Sequence, residues 1–194
     1  MGTKRAHYFF GFIFLDHVSY TFTKFSDFWY NEFMYGYHKN ILSENARRDL
    51  ESYIEGYKAK INPNEITQDE EMGKIYFHIQ DLPYSISKEL NIIADQYELN
   101  TNFLSTTYTK YSGKYGKPKL EMHTDKLDTL LLIDYQYSSN TSWDLIVEKD
   151  QFELKDNDAV VLLSSGSVRH GRPEKNFSEN DYIEMLFFDF IRSK

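Results

Sequence analysis

The sequence predicts a mainly β fold with flanking α-helices (α+β), its core a two-sheet jelly roll buttressed by N-terminal helices. Three observations carry this expectation. Residues 101–190 contain six or seven short apolar or aromatic runs separated by turn residues, the rhythm of a closed antiparallel sandwich. Amphipathic helical patterns are confined to the first hundred residues. The apolar runs have strand length and fall well short of the ~20 residues that span a bilayer.

Taken in order, Tyr8 to Val18 reads as a strand, and the opening residues lack the small-residue cleavage site of a secretory leader. Ser26 to Tyr37 is dense in aromatics and reads as a helix capped by Ser26. Ser43 opens a second helix through about Ala59, with Leu50, Tyr53, Ile54 and Tyr57 on one face. Asn62 to Glu71 is polar and acidic, a surface loop, before a strand at Ile75–Ile79 and a helix at Ser87–Tyr97. Thr101 to Tyr111 begins the β-rich half and runs into a Gly-rich turn, Tyr111 to Pro118. Further strands are expected at Thr129–Tyr135, Trp143–Val147 and Gln151–Leu154, within Asn157–Ser164 (a turn followed by a fully apolar strand), and at Tyr182–Phe190. With no internal repeat or linker, the chain reads as one domain, 1–194. Residues 1–100 form a helical and strand support region, and 101–194 a jelly-roll metal core.

The chemistry is carried by His123-Thr124-Asp125 and by His170, 45 positions beyond Asp125 in Ser167-Val-Arg-His-Gly-Arg-Pro173. Residues i and i+2 of an extended segment project to the same side, so His123 and Asp125 share one face. Two imidazoles and one carboxylate form the ligand set that holds Fe(II) by one face and leaves the opposite positions open. The bare triplet is common by chance; its setting between a Gly-rich turn and a series of strands gives it weight. The other histidines, His7, His17, His38 and His78, have no acid at i+2 and read as structural or exposed. Phosphate-loop, helical zinc-protease and nucleophile-elbow motifs are missing from the sequence.

From about Thr101 to Phe190 the chain resembles the Fe(II)/2-oxoglutarate-dependent oxygenases, and within them the prolyl-hydroxylase-like branch. The matching pieces are Tyr111 with its Gly-rich turn, His123-Thr-Asp125, Asn157-Asp-Ala-Val-Val-Leu-Leu163 and His170-Gly-Arg-Pro173. The resemblance implies a double-stranded β-helix (cupin-like) core with Fe(II) on His123, Asp125 and His170. It also implies 2-oxoglutarate and O2 as co-substrates, and hydroxylation or another oxidation of an unactivated C–H. Tyr111 matches the tyrosine whose hydroxyl meets the co-substrate. One departure stands out: the family's base on the last strand, which pairs with the distal carboxylate, falls here near Asp181, within Ser178-Glu-Asn-Asp-Tyr182. Arg172, two residues from His170, is the first candidate for its replacement, because its planar fork grips a carboxylate by two hydrogen bonds, ahead of Arg169, Lys119 and Arg192. Trp143 is expected on the substrate side.

Composition sets the outer limits. A net charge of −8 disfavours a duplex nucleic acid as partner. The densest basic stretch, Tyr108 to Lys119, reads as a solvated turn or a loop over the site. The absence of cysteine excludes disulfides and thiolate ligands and suits a cytoplasmic setting with no membrane association. A peptide or small-molecule substrate fits, and the oligomeric state is left open. Two other functions share the ligand set: an iron oxidase that uses no 2-oxoglutarate, and a non-catalytic cupin-like metal-binding protein.

Overall fold

The computed structural model describes residues 34–97, 99, 101–125 and 129–193. In chain order these form β1 (Tyr35–His38), α1 (Glu44–Lys58), β2 (Thr67–Asp69), β3 (Lys74–Ile79), α2 (Tyr84–Asp95), β4 (Thr101–Ser112), β5 (Leu120–His123), β6 (Leu131–Ser139), β7 (Leu145–Val147), β8 (Asp150–Phe152), β9 (Ala159–Leu163), β10 (His170–Arg172) and β11 (Tyr182–Arg192). The expected strand Tyr8–Val18, the start of the helix expected from Ser26, and His7 and His17 lie outside the described residues. Residues 35–37, expected to end that helix, are instead strand β1, paired with β9 in the register Tyr35↔Leu162 to His38↔Ala159. Their alternating tyrosines suit a pleated edge, where Tyr35 and Tyr37 both reach Phe152.

Two antiparallel sheets face each other. The larger has the order β1-β9-β6-β11-β4-β3-β2 and the smaller β5-β10-β7-β8. Strand β2 lies within the stretch expected to be loop, where it pairs with β3 at the sheet edge. The alternation along each strand divides the side chains between two cores. On the outer face Tyr108, Leu131, Ile133, Leu186 and Phe188 pack under α1 and α2, with Leu50, Ile54, Ile86 and Leu90 fully buried. On the inner face Tyr111, Leu132, Val160, Leu162, Ile183 and Met185 meet Leu145 and Val147 of the smaller sheet. Helix α1 begins as expected, with Ser43 accepting the Ala46 N–H, and Leu50 and Ile54 face the sheet one turn apart. Helix α2 starts earlier than expected, at Tyr84 directly after Pro83. Among the described residues no helix is long and apolar enough to cross a membrane.

The Gly-rich turn after β4 does not reach the ligand triplet. It lies against the β2–β3 turn, where Lys119 N–H donates to the Met72 carbonyl at the Leu120 end of β5, away from His123. Three of the four lysines in the basic stretch are ion-paired, Lys110 with Glu184 (3.0 Å), Lys117 with Glu174 (3.6 Å), and Lys119 with Glu71 and Glu121 (both 3.6 Å), while Lys114 lies 6.0 Å from the Tyr115 ring. The stretch is an ordinary paired surface turn.

Candidate metal centre

Strands β5 and β10 are neighbours in the smaller sheet, and their pairing places His170 directly opposite His123. Gly171 makes the approach possible. A Cβ there would stand 2.6 Å from the Leu120 carbonyl oxygen and 3.0 Å from the Glu121 carbonyl. The two imidazole centroids are 4.4 Å apart. Asp125 lies just past the end of β5, its N–H donating to the Ser165 carbonyl at 3.2 Å, which fixes the turn that brings its carboxylate back.

Both rings are oriented by their own strands. His123 Nδ1 faces the Glu121 carbonyl at 2.8 Å, and His170 Nδ1 faces the Val168 carbonyl at 3.1 Å. A carbonyl oxygen only accepts, so each Nδ1 carries a proton, and in the neutral ring Nε2 is the nitrogen left to ligate. Those Nε2 atoms lie 3.7 Å from Asp125 Oδ1 and from Asp125 Oδ2 respectively. Oδ2 is buried and has no hydrogen-bond partner. Three potential ligand atoms thus converge within 4.8 Å of one another. The arrangement can hold a cation at its centre, and the donor set suits Fe(II). The His123 side chain is 38 % exposed and that of His170 only 4 %, so the centre opens to solvent on the β5 side.

Of the other residues singled out in the sequence, Tyr111, Trp143 and Arg172 are buried in the interior. Tyr111 is buried on the inner face of β4, opposite Ile183. Arg172 is buried on β10, donating to the Trp143 carbonyl and to Met185 Sδ at 3.7 Å, with its guanidinium 5.3 Å from the Trp143 ring. Its charge therefore sits beside β11, where the residues pointing inward, Ile183 and Met185, are apolar. Asp181 is not in the interior; its carboxylate accepts the Ser178 N–H at 2.7 Å in the turn before β11. Trp143 is buried between Tyr111 and Phe177 and donates to the Pro173 carbonyl, so it braces Arg172 and presents nothing to the open side.

Two inward-facing residues were not anticipated. Asp134 on β6 is 1 % exposed, and neither carboxylate oxygen has a hydrogen-bond partner. Burial pushes its pKa above the usual carboxylate range; Arg172 acts in the opposite direction, as to a lesser degree do His170 and His123. Lys74 on β3 stands opposite Tyr111, with Nζ 5.5 Å from the Tyr76 ring and 5.9 Å from the Tyr111 ring. Burial lowers its pKa, while Asp69 opposes the shift. The signal for Asp134 was present in the chain, since Leu132, Asp134 and Gln136 are the alternate positions that face inward once β6 pairs with β9 and β11.

No protein-family model and no curated protein matches this chain by sequence. Solved structures do match its fold. A prolyl-4-hydroxylase from Pseudomonas putida superimposes with a TM-score of 0.58 at 14% identity, covering 83% of this chain and 94% of that one. The viral collagen prolyl hydroxylase of Paramecium bursaria Chlorella virus-1 gives 0.57 at 13%, covering 90% and 98%. HygX from Streptomyces hygroscopicus, solved with nickel and 2-oxoglutarate bound, gives 0.54 at 9%, covering 82% and 83%. The chain therefore has the jelly-roll fold of the 2-oxoglutarate/Fe(II) oxygenases.

Proposed function

We propose that this protein is a non-haem Fe(II) oxygenase that uses 2-oxoglutarate and O2 to oxidise an unactivated C–H bond of a peptide or small molecule. The observation that carries the reading is the convergence of two Nε2 atoms and an orphaned carboxylate oxygen on one point, in a fold shared with such oxygenases. His123, Asp125 and His170 hold the metal, and the bound metal with O2 supplies the oxidising chemistry.

The chain's own residues do the rest. Tyr111 donates its hydroxyl to the distal carboxylate of the co-substrate, and the remaining guanidinium donors of Arg172 pair with it. The apolar inner core around Leu132, Leu145, Val147 and Leu162 keeps bulk water from the reacting centre. Substrate enters on the β5 side, where His123 is exposed. Tyr76, His78 and Thr107 lie on the inner face of the larger sheet yet remain half-buried or exposed, a polar floor suited to an extended peptide. The match to two prolyl hydroxylases favours that substrate class. In this reading residues 1–194 act as one cytoplasmic oxygenase domain, needing no oxidising compartment because the chain has no cysteine.

Anaerobic Fe(II) reconstitution followed by 2-oxoglutarate titration is the test. A saturable charge-transfer band in the visible, lost in Arg172→Ala, is expected. Iron binding without any band would defeat the co-substrate assignment and favour the iron oxidase, a reading to which Asp134 beside Arg172 lends some weight. Such an oxidase would consume O2 only with its substrate present and would form no succinate.

A further inference from the structure

We propose that the substrate is an extended, basic peptide segment that adds as a strand to the outer edge of β5. Glu121 receives a lysine or arginine of that segment, two positions from the residue presented to the metal. The inference rests on the oxygenase reading of the metal centre and specifies its substrate.

Strand β5 ends the smaller sheet. Among the described residues it pairs with β10 alone, and the order β5-β10-β7-β8 leaves its other side without a neighbour. In an antiparallel pair, alternate residues turn their N–H and C=O groups away from the partner, so the outer edge of β5 offers a short ladder to a further strand. The two sheets also differ in width, four strands facing seven. Strand β8 lies over β1, where Phe152 meets Tyr35 and Tyr37, and β10 lies over β11, where Arg172 meets Met185. A strand added beyond β5 would therefore run above the β4–β3 side of the larger sheet.

The side chains show that this space is open from both walls. Val147 of β7 points into the inner core, and its cross-strand neighbour His170, with His123 beyond it, points the same way. Glu121, two residues before His123 on the same strand, shares that inward face. Its side chain is 79 % exposed all the same, so no described residue fills the space beneath it. On the facing sheet His78 is exposed and Tyr76 and Thr107 are half-buried, although all three point inward. At the Leu120 end the slot is closed, where Lys119 N–H donates to the Met72 carbonyl.

Charge and spacing specify the occupant. Glu71 and Glu121 each lie 3.6 Å from Lys119 Nζ, so two carboxylates share one ammonium and a negative charge is left over at the closed end. Lys74 and Asp69, opposite each other on β3 and β2, cancel. A peptide residue paired with His123 turns its side chain inward beside the metal. The residue paired with Glu121 lies two positions away on the same face. The favoured segment thus carries a basic side chain two positions from the reacting one.

The experiment uses the full chain, isotope-labelled for amide NMR and loaded with Zn(II), which suits the same donors and allows no turnover. The probes are the acetylated hexapeptide amide Thr-Val-Lys-Val-Thr-Val, its Glu-for-Lys counterpart, and two versions N-methylated at one or the other alternating set of amides. The lysine peptide should bind saturably and shift the amides of residues 120–123 most. The Glu counterpart should bind about threefold more weakly or worse, and one methylated version at least about tenfold more weakly. Glu121→Lys should reverse the charge preference. No saturable binding, shifts centred away from β5, equal binding of parent and both methylated peptides, or an unchanged preference in Glu121→Lys would overturn the proposal. So would protection of every β5 amide from exchange in the free protein, which would show the edge taken by another segment of the chain. None of these results bears on the 2-oxoglutarate band of the Fe(II) protein, whose absence would instead remove the oxygenase reading beneath the proposal.

Discussion

Gly171 joins the fold to the metal centre, and replacing it by alanine tests that link directly. The new Cβ would lie 2.6 Å from the Leu120 carbonyl oxygen, about 0.8 Å short of an ordinary contact. The obstacle is backbone on both sides, so relief requires β5 to move off β10, three residues from His123. Overpacking of this kind costs about 1–3 kcal/mol, which for a domain of this size lowers Tm by roughly 2–12 °C. The displacement also exceeds the ~0.5 Å tolerance of a preorganised site. Fe(II) affinity should therefore fall about 10–100-fold, as when the groups that orient metal ligands are disturbed. Gly56→Ala in α1 is the matched control. Nothing lies within 4 Å of its would-be Cβ, so it should stabilise by about 0.4–1 kcal/mol and leave metal binding unchanged. Thermal unfolding with anaerobic Fe(II) titration gives both quantities. If Gly171→Ala kept its Tm within a degree and its iron affinity within twofold, the argument that this glycine permits the β5–β10 approach would be wrong.

Three further outcomes are expected. Asp125→Ala should reduce Fe(II) binding by at least about 100-fold, while Asp49→Ala, which removes only an acceptor for Ser85 on the surface, should bind iron as wild type does; equal loss in both would refute the ligand assignment. Arg172→Leu removes the opposite charge acting most strongly on the buried Asp134 and should destabilise the apo protein, and adding Asp134→Leu should recover part of that loss in a urea melt. His38 is held against the Tyr97 hydroxyl at 2.5 Å, and burial lowers its pKa below the ordinary 6.5. The unfolded chain then takes up the proton first, so stability at His38 is present above about pH 6.5 and is lost as pH falls through the window down to the folded value. Urea midpoints compared at pH 7.5 and 5.5 should show a smaller acid loss in His38→Gln than in wild type, and identical losses would exclude that source.

What was legible in the chain followed from spacing. The i, i+2 relation of His123 and Asp125 and the placement of His170 on a separate strand survived folding because pleat geometry fixes which side chains share a face. The same rule placed Arg172 in the barrel with His170. Helix α1 was readable from its cap and from the spacing of Leu50 and Ile54. Tyr35 and Tyr37 misled because aromatic rings fill a helix–sheet interface and a sheet edge equally well; only the pairing with β9 distinguishes the two. Strand β2 was hidden in an acidic stretch because an edge strand needs few apolar side chains, and Thr67, Gln68 and Asp69 have few to offer. Asp134 was passed over because a run such as Leu130 to Tyr135 is read by its apolar sum, whereas its meaning lies in the alternation that turns one acid inward.

Strand β10 is only three residues long, and it holds the buried candidate ligand His170 at one end and the buried base Arg172 at the other. It is an inner strand of its sheet, pinned by β5 and β7 on either side. Any fluctuation that frees this segment releases the proposed metal ligand and the proposed anion-binding group together. By linkage, occupancy of either subsite must then suppress the same local opening. In amide hydrogen exchange, the backbone of residues 170–172 should slow on loading with Fe(II) alone, slow again when a 2-oxo acid is added, and report the two events as one cooperative unit.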